Sequence, residues 1–274
     1  MPRMPVNGAE LNVEVVGEGP PVVAVHGFTG DISTWDCFVE AARAEFTLIL
    51  VDVLGHGCSE APGDPGRYSM DHCVEDLVGV LDGIGVRRAS WLGYSMGGRI
   101  CLYVALNAPD RCRALVLEGA SPGISNARDR RERVDRDVEL ARIIEERGVA
   151  TFVEYWEALP LFATQQRLPQ AARERLRRQR LRNNPVGLAN TLRGIGVGVQ
   201  PPLQDRLSCL APPVLFVVGE KDGKFCDLAR SMNAAVPNGR LAVIPEAGHA
   251  VHLEQPDRFN SIVLDFLRVC REEE

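Results

Sequence analysis

Six short, unbroken apolar runs separated by helical patterns constrain the fold of this 274-residue chain more than any other feature. They lie at residues 21–26, 46–52, 89–93, 113–118, 213–219 and 241–245. A run without polar alternation fits a strand covered on both faces, as in a parallel sheet. Helical stretches are expected at 70–84, 96–107, 225–235 and 257–268. Asn7-Gly8 marks a hairpin turn between segments 4–6 and 11–16. Strand–helix alternation of this kind predicts an α/β fold built on a mostly parallel, doubly wound sheet.

Residues 119–212 break the rhythm. Val134, Val138, Ala141 and Ile144 recur at helical spacing and little strand pattern is present. The expected organisation is therefore a core of residues 1–120 and 201–274, with 121–200 as a helical lid inserted in the same domain.

Composition removes several function classes. A 45% hydrophobic content and a net charge of −6 exclude disorder. No apolar run approaches the roughly 18–20 residues of a membrane span, and Met1-Pro2-Arg3-Met4 does not open a secretory signal. A soluble, cytoplasmic protein without a membrane partner is expected, as a monomer or small homo-oligomer. The acidic balance argues against nucleic acid. Eight scattered cysteines without C-x-x-C read as reduced small hydrophobes. H-E-x-x-H and G-x-G-x-x-G are both absent, so neither a metal nor a nicotinamide or flavin cofactor is expected.

The chemistry centres on Gly93-Tyr94-Ser95-Met96-Gly97-Gly98, a G-x-S-x-G at a strand-to-helix junction. The glycines let strand and helix approach while the serine turns outward. A serine hydroxyl needs a neighbouring imidazole to take its proton. Of five histidines, His249 follows the last expected strand and precedes the last helix. Asp222, after the preceding strand, is the expected orienting acid, with Glu220 and Glu246 as rivals. His26 reads as a turn-stabilising group, and His72 and His252 as ordinary polar residues. Asp52-Val53-Leu54-Gly55-His56-Gly57-Cys58-Ser59 reads as a structural turn.

These features resemble the α/β-hydrolase superfamily over nearly the whole chain, and the order Ser95, Asp222, His249 is that superfamily's. The resemblance implies that the turn His26-Gly27-Phe28 supplies one oxyanion-binding N–H, from Phe28, and Met96 the other. A serine rather than an aspartate at the nucleophile position disfavours the dehalogenase and epoxide-hydrolase branches.

Further residues narrow the resemblance. They include Ser121-Pro122-Gly123-Ile124, Arg131, Arg133 and Asp135, Trp156 with Pro160-Leu161-Phe162, Arg182-Asn183-Asn184, Gly187-Leu188, Gln200-Pro201 and Gly219-x-x-Asp222-x-Lys224-Phe225. Together with Arg99, one turn after Ser95, they resemble the 2-succinyl-6-hydroxy-2,4-cyclohexadiene-1-carboxylate synthases of menaquinone biosynthesis. That family eliminates pyruvate from a tricarboxylate, 2-succinyl-5-enolpyruvyl-6-hydroxy-3-cyclohexene-1-carboxylate, a carbon–oxygen lyase reaction in which the serine acts as base. The resemblance implies Arg99, Arg133 and Arg182 as carboxylate partners, with Tyr94, Trp156 and Lys224 lining the site. The charge pattern agrees: residues 121–200 hold 15 Arg against 10 Asp and Glu, leaving −11 for the rest of the chain. A cationic cleft attracts such an anion. By contrast, Arg173, Arg175, Arg177, Arg178 and Arg180 spread around one helix and read as solvated surface.

Two other readings stand beside this one. A serine hydrolase for a carboxylic ester, or for a carbon–carbon bond of a dicarbonyl compound, would use the triad and assign the arginines to the surface. A catalytically dead binding protein would use neither.

Overall fold

Residues 3–271 are described by a computed structural model of the chain; the first two and last three residues, which bound the expected core segments, lie outside the described residues. The described residues hold nine strands: β1 (Met4–Val6), β2 (Ala9–Leu11), β3 (Val13–Val16), β4 (Pro21–Val25), β5 (Thr47–Val51), β6 (Ala89–Tyr94), β7 (Cys112–Glu118), β8 (Val214–Gly219) and β9 (Gly239–Ile244). Seven of them form one sheet in the order β3-β5-β4-β6-β7-β8-β9. Only β3 is antiparallel, against β5, and the remaining neighbours are parallel.

Alternation along each strand divides the core in two. Val23, Val25, Ile49, Val51, Trp91 and Leu115 face α2 (Met70–Gly83), α3 (Met96–Asn107) and α7 (Gly223–Ala235). Val22, Ala24, Leu48, Leu50, Leu92 and Val116 face α1 (Asp36–Ala42) and α8 (Pro256–Arg271). Both faces are covered, which explains why the strands read as continuous apolar runs.

The opening hairpin differs from expectation. β1 pairs with β2 across Asn7-Gly8, but the second arm divides at Asn12, and β3 joins the main sheet instead. Asn12 is the cause. Its N–H donates to Ser59 Oγ (2.8 Å) and its carboxamide to Asp52 Oδ2 (2.8 Å), taking it out of the ladder. Helix α1 has no counterpart in the sequence reading, because seven residues give too few turns for a periodic signal.

Between β7 and β8 the chain forms α4 (Ala127–Glu157), α5 (Gln170–Leu181) and α6 (Pro185–Ile195). Gly148 (φ +81°) kinks α4, and α6 packs against it. Their shared core holds Ala141, Ile144, Phe152, Val153, Leu188, Ala189 and Leu192. Val138, expected in the buried stripe, is 46% exposed; Asp137 occupies the inward position one residue earlier.

After β5 the chain crosses to the other side of β4 to form β6, so the strand order reverses between β4 and β6. A crevice opens outside the carboxyl ends of strands at such a point. The turns after β4 and β6 flank it. Among the described residues no helix is long and apolar enough to cross a membrane.

Candidate active site

Ser95 sits at the junction of β6 and α3 with φ +51° and ψ −103°. A non-glycine residue there is strained by roughly 1–3 kcal/mol, so its surroundings must hold it. Its N–H donates to Glu118 O (2.8 Å) and its carbonyl accepts from Arg99 N–H (3.1 Å). Close approach also demands glycine on either side. A Cβ on Gly97 would collide with the Val25 carbonyl, and one on Gly93 with the Gly97 backbone.

His249 follows β9 and is almost fully buried. Glu254 holds its loop by accepting the Gly248 N–H (2.8 Å). Asp222 caps α7, accepting the Phe225 N–H at Oδ1 (3.4 Å), while Oδ2 lies 2.7 Å from His249 Nδ1. A carboxylate there accepts the Nδ1 proton, so Nε2 is the free acceptor for the Ser95 hydroxyl, 3.0 Å away. The rivals stand elsewhere: Glu246 pairs with Lys221 (3.3 Å) at the surface, and Glu220 accepts the Glu246 N–H.

The serine opens into a cavity of about 540 Å³ lined by Phe28, Tyr94, Met96, Arg99, Arg133, Trp156 and Lys224, among others. Phe28, Trp156 and Phe162 form an aromatic wall, with ring centroids 5.4 and 5.5 Å apart. The main-chain N–H groups of Phe28 and Met96 have no protein acceptor among the described residues. Burial pushes the Tyr94 phenol well above its ordinary value, and its ring packs against His252 (4.7 Å). Lys224 is exposed at the rim, over the Phe225 ring.

Arg99 is 7% exposed, and its guanidinium donates to Ile195 O (2.8 Å) and Gln200 Oε1 (2.7 Å). Burial pulls its pKa down to about 10, and Arg133 adds to the shift. Arg133 pairs instead with Asp137 (2.9 Å), whose carboxyl burial pushes up despite that partner.

Arg182 is corrected by the structure. It lies past the end of α5, outside the cavity lining, 65% exposed and paired with Asp31 (2.9 Å). Arg180, read from the sequence as solvated, occupies the cavity wall instead. It is buried, donates to Glu157 (3.1 Å) and Gln165 (3.0 Å), and covers the Phe162 ring. Sequence spacing around α5 offers no sign of which face docks, and only the tertiary contacts decide it.

One histidine also holds more structure than its spacing suggested. His252 lines the cavity wall and pairs with the buried Glu118 (2.9 Å), the residue whose carbonyl holds the Ser95 N–H. Burial, with His26 close by, drives the pKa of His56 well below its ordinary value. His26 Nε2 accepts the Val53 N–H (3.1 Å), tying together the turns after β4 and β5. In the second of these turns the Asp52 carboxylate accepts from Ile32 N–H (2.6 Å) and Cys58 N–H (2.8 Å). Among the described residues no cluster of His, Cys, Asp and Glu is arranged to hold a metal.

Comparison with known proteins matches residues 20–256 to the alpha/beta hydrolase fold family. A Bacillus subtilis (strain 168) protein, provisionally named 2-succinyl-6-hydroxy-2,4-cyclohexadiene-1-carboxylate synthase, is 44% identical over 92% of this chain and 93% of its own. The synthase of that name from Serratia proteamaculans is 31% identical over 90% of this chain and 93% of its own. The solved structure of MenH from S. aureus superposes with a TM-score of 0.91 at 33% identity, covering 94% of this chain and 98% of that one. The chain thus belongs to the α/β-hydrolase fold family and, within it, to the 2-succinyl-6-hydroxy-2,4-cyclohexadiene-1-carboxylate synthases.

Proposed function

We propose that this chain is a carbon–oxygen lyase of menaquinone biosynthesis. It eliminates pyruvate from 2-succinyl-5-enolpyruvyl-6-hydroxy-3-cyclohexene-1-carboxylate to leave 2-succinyl-6-hydroxy-2,4-cyclohexadiene-1-carboxylate. One observation carries this reading: the Ser95–His249–Asp222 chain opens into the same cavity as Arg99 and Arg133. A hydrolase for neutral esters has no use for guanidinium groups lining the cavity of its serine, whereas an enzyme for a tricarboxylate does. The names borne by the relatives support the same reading. The cavity is of the size that ordinarily encloses a small molecule.

In this mechanism Ser95 passes its proton to His249 Nε2 and takes the acidic ring proton beside the succinyl ketone. The electron pair moves through the ring double bond, and the carbon–oxygen bond to the enolpyruvyl group breaks. The proton held on His249 goes to the departing enolate, which ends as pyruvate. Ser95 and His249 are then back at their starting states. Asp222 fixes the imidazole tautomer and stabilises its charged form. As charge builds on the ketone oxygen, the N–H groups of Phe28 and Met96 donate to it, each lowering the barrier by on the order of 3 kcal/mol. Arg99, Arg133 and Arg180 hold carboxylates, while Tyr94, Trp156 and Lys224 shape the walls. Helices α4 to α6, within residues 121–200, act as the lid, and no cofactor takes part.

The direct test incubates purified protein with the enolpyruvyl precursor and follows pyruvate release. Stoichiometric pyruvate and the cyclohexadiene chromophore are expected. A purified, folded protein that releases neither would end this reading.

A further inference from the structure

The oxyanion turn is strained, and a residue of the lid holds it. Gly27 to Gly30 form a four-residue turn closed by the Gly30 N–H on Gly27 O (3.0 Å). Its third position is Thr29, at φ +68°. Type II turns require positive φ at that position and favour glycine or asparagine there. A β-branched residue with positive φ is a genuine outlier that persists only when its surroundings over-determine it. Thr29 is 2% exposed, and its carbonyl accepts the Asn183 carboxamide at 2.8 Å.

Asn183 follows α5, is itself 5% exposed, and spends its whole side chain on backbone. Nδ2 donates to Thr29 O and to the carbonyls of Gln179 (3.3 Å) and Arg180 (3.2 Å). Oδ1 accepts the Gly57 N–H (3.3 Å) from the turn after β5. Flipping the amide would face an oxygen toward three carbonyls, so its orientation is fixed. Nearby, Gln179 donates to Asp31 (2.7 Å), which closes the same loop against α5.

We propose that Asn183 is a positioning residue. By holding the Gly27–Gly30 turn in its strained form, it keeps the Phe28 N–H aimed at the oxygen that gains charge over Ser95. If Thr29 relaxed to negative φ, the Phe28–Thr29 peptide would turn over and shift the segment carrying that N–H. Lid docking and assembly of the oxyanion site are then one event. This inference rests on the proposed roles of Ser95 and Phe28.

The test compares wild type with Asn183→Ala, Asn183→Asp and the pair Asn183→Ala with Thr29→Gly. Pyruvate release gives kcat and KM. An aryl trifluoromethyl ketone, which forms a hemiketal on Ser95, reports on the oxyanion site. Asn183→Ala should lower kcat by roughly tenfold or more with KM nearly unchanged, short of the ~10²–10³ for deleting a donor outright. The ketone's inhibition constant should rise by the same factor. Thr29→Gly, at ease with positive φ, should restore part of kcat to Asn183→Ala. Asn183→Asp keeps the shape and the Gly57 contact but loses the donor to Thr29, and should show the same loss of kcat and of ketone affinity, which gives the readout if Asn183→Ala fails to fold. Unchanged ketone inhibition in a folded variant, a change confined to KM, or no restoration by Thr29→Gly would overturn the proposal. Failure of the wild type to bind the ketone would instead remove the shared reading of Ser95 and Phe28, and the proposal with it.

Discussion

Arg99 and Gln200 share a 2.7 Å hydrogen bond, and the acceptor is an uncharged carboxamide. Its other acceptor, the Ile195 carbonyl, is also neutral, and among the described residues no carboxylate forms an ion pair with Arg99. The nearby acid, Asp137, pairs with Arg133 instead. A buried cation so placed is costly to the fold and available to an incoming anion.

Arg99→Met should therefore separate stability from activity. The melting temperature should hold or rise, because a desolvated charge is replaced by an apolar chain of similar length. Turnover of the tricarboxylate should fall by about 1.5–3 kcal/mol in kcat/KM, the size of a hydrogen bond to a charged group. Cleavage of a neutral p-nitrophenyl ester should change much less. Thermal melts and the two assays check this; a variant with full tricarboxylate turnover would remove Arg99 from the binding site.

The same residue sets an alkaline limit. Its pKa, about 10, lies below the ordinary 12.5 because burial disfavours the charged form. The folded state therefore releases this proton more readily than the unfolded chain. The cost to stability is complete below about 10 and is relieved as pH rises from there toward the unfolded value. Binding has the opposite sense: the anion needs the cation, so KM for the tricarboxylate should climb as pH passes about 10. In Arg99→Met that climb should vanish. Steady-state assays from neutral pH upward, on wild type and variant, measure it.

Arg180 and Arg182 should differ sharply although two residues separate them. Arg182 pairs with Asp31 in the open, a contact worth about 0–1 kcal/mol, and Arg182→Ala should keep most of the activity. Arg180 is buried against Glu157, Gln165 and Phe162 on the cavity wall. Arg180→Ala should lose tenfold or more in kcat/KM and several degrees in melting temperature, since it leaves the buried Gln165 Oε1 without a partner and takes from Glu157 one of its two arginines, Arg177 being the other. Equal effects of the two substitutions would contradict this assignment.

That pair also marks where the sequence stops being legible. Strands buried on both faces carry their own signal, so the sheet could be read from runs such as Val22-Val23-Ala24-Val25. The serine junction could be read because its glycines serve close approach, a local requirement. The facing of the helices between β7 and β8 could not. Val138 faces outward with Asp137 inward, and Arg180 rather than Arg182 lines the cavity, because α4 and α5 are polar around most of their circumference. Their orientation comes from partners distant in sequence, such as Asn183 on Thr29. The Glu118–His252 pair escaped for the same reason, since 134 residues separate its members.

Asp222→Asn tests the tautomer argument. Asp222 Oδ2 lies 2.7 Å from His249 Nδ1, and a carboxylate can only accept, so the proton sits on Nδ1 and Nε2 is left to take the serine proton. An asparagine that turns its NH2 toward Nδ1 reverses this: Nδ1 becomes the acceptor, the proton moves to Nε2, and Ser95 faces a donor. The Phe225 N–H cap on Oδ1 can persist through the amide oxygen, so the fold should survive with little change in melting temperature. Pyruvate release should drop by roughly 10⁴, as for the equivalent change in serine proteases. Labelling of Ser95 by a fluorophosphonate should slow in parallel, because that reaction needs the same proton transfer. If labelling slows but pyruvate release does not, Ser95 is a nucleophile in this pocket without being the base, and the elimination must draw its proton acceptor from elsewhere.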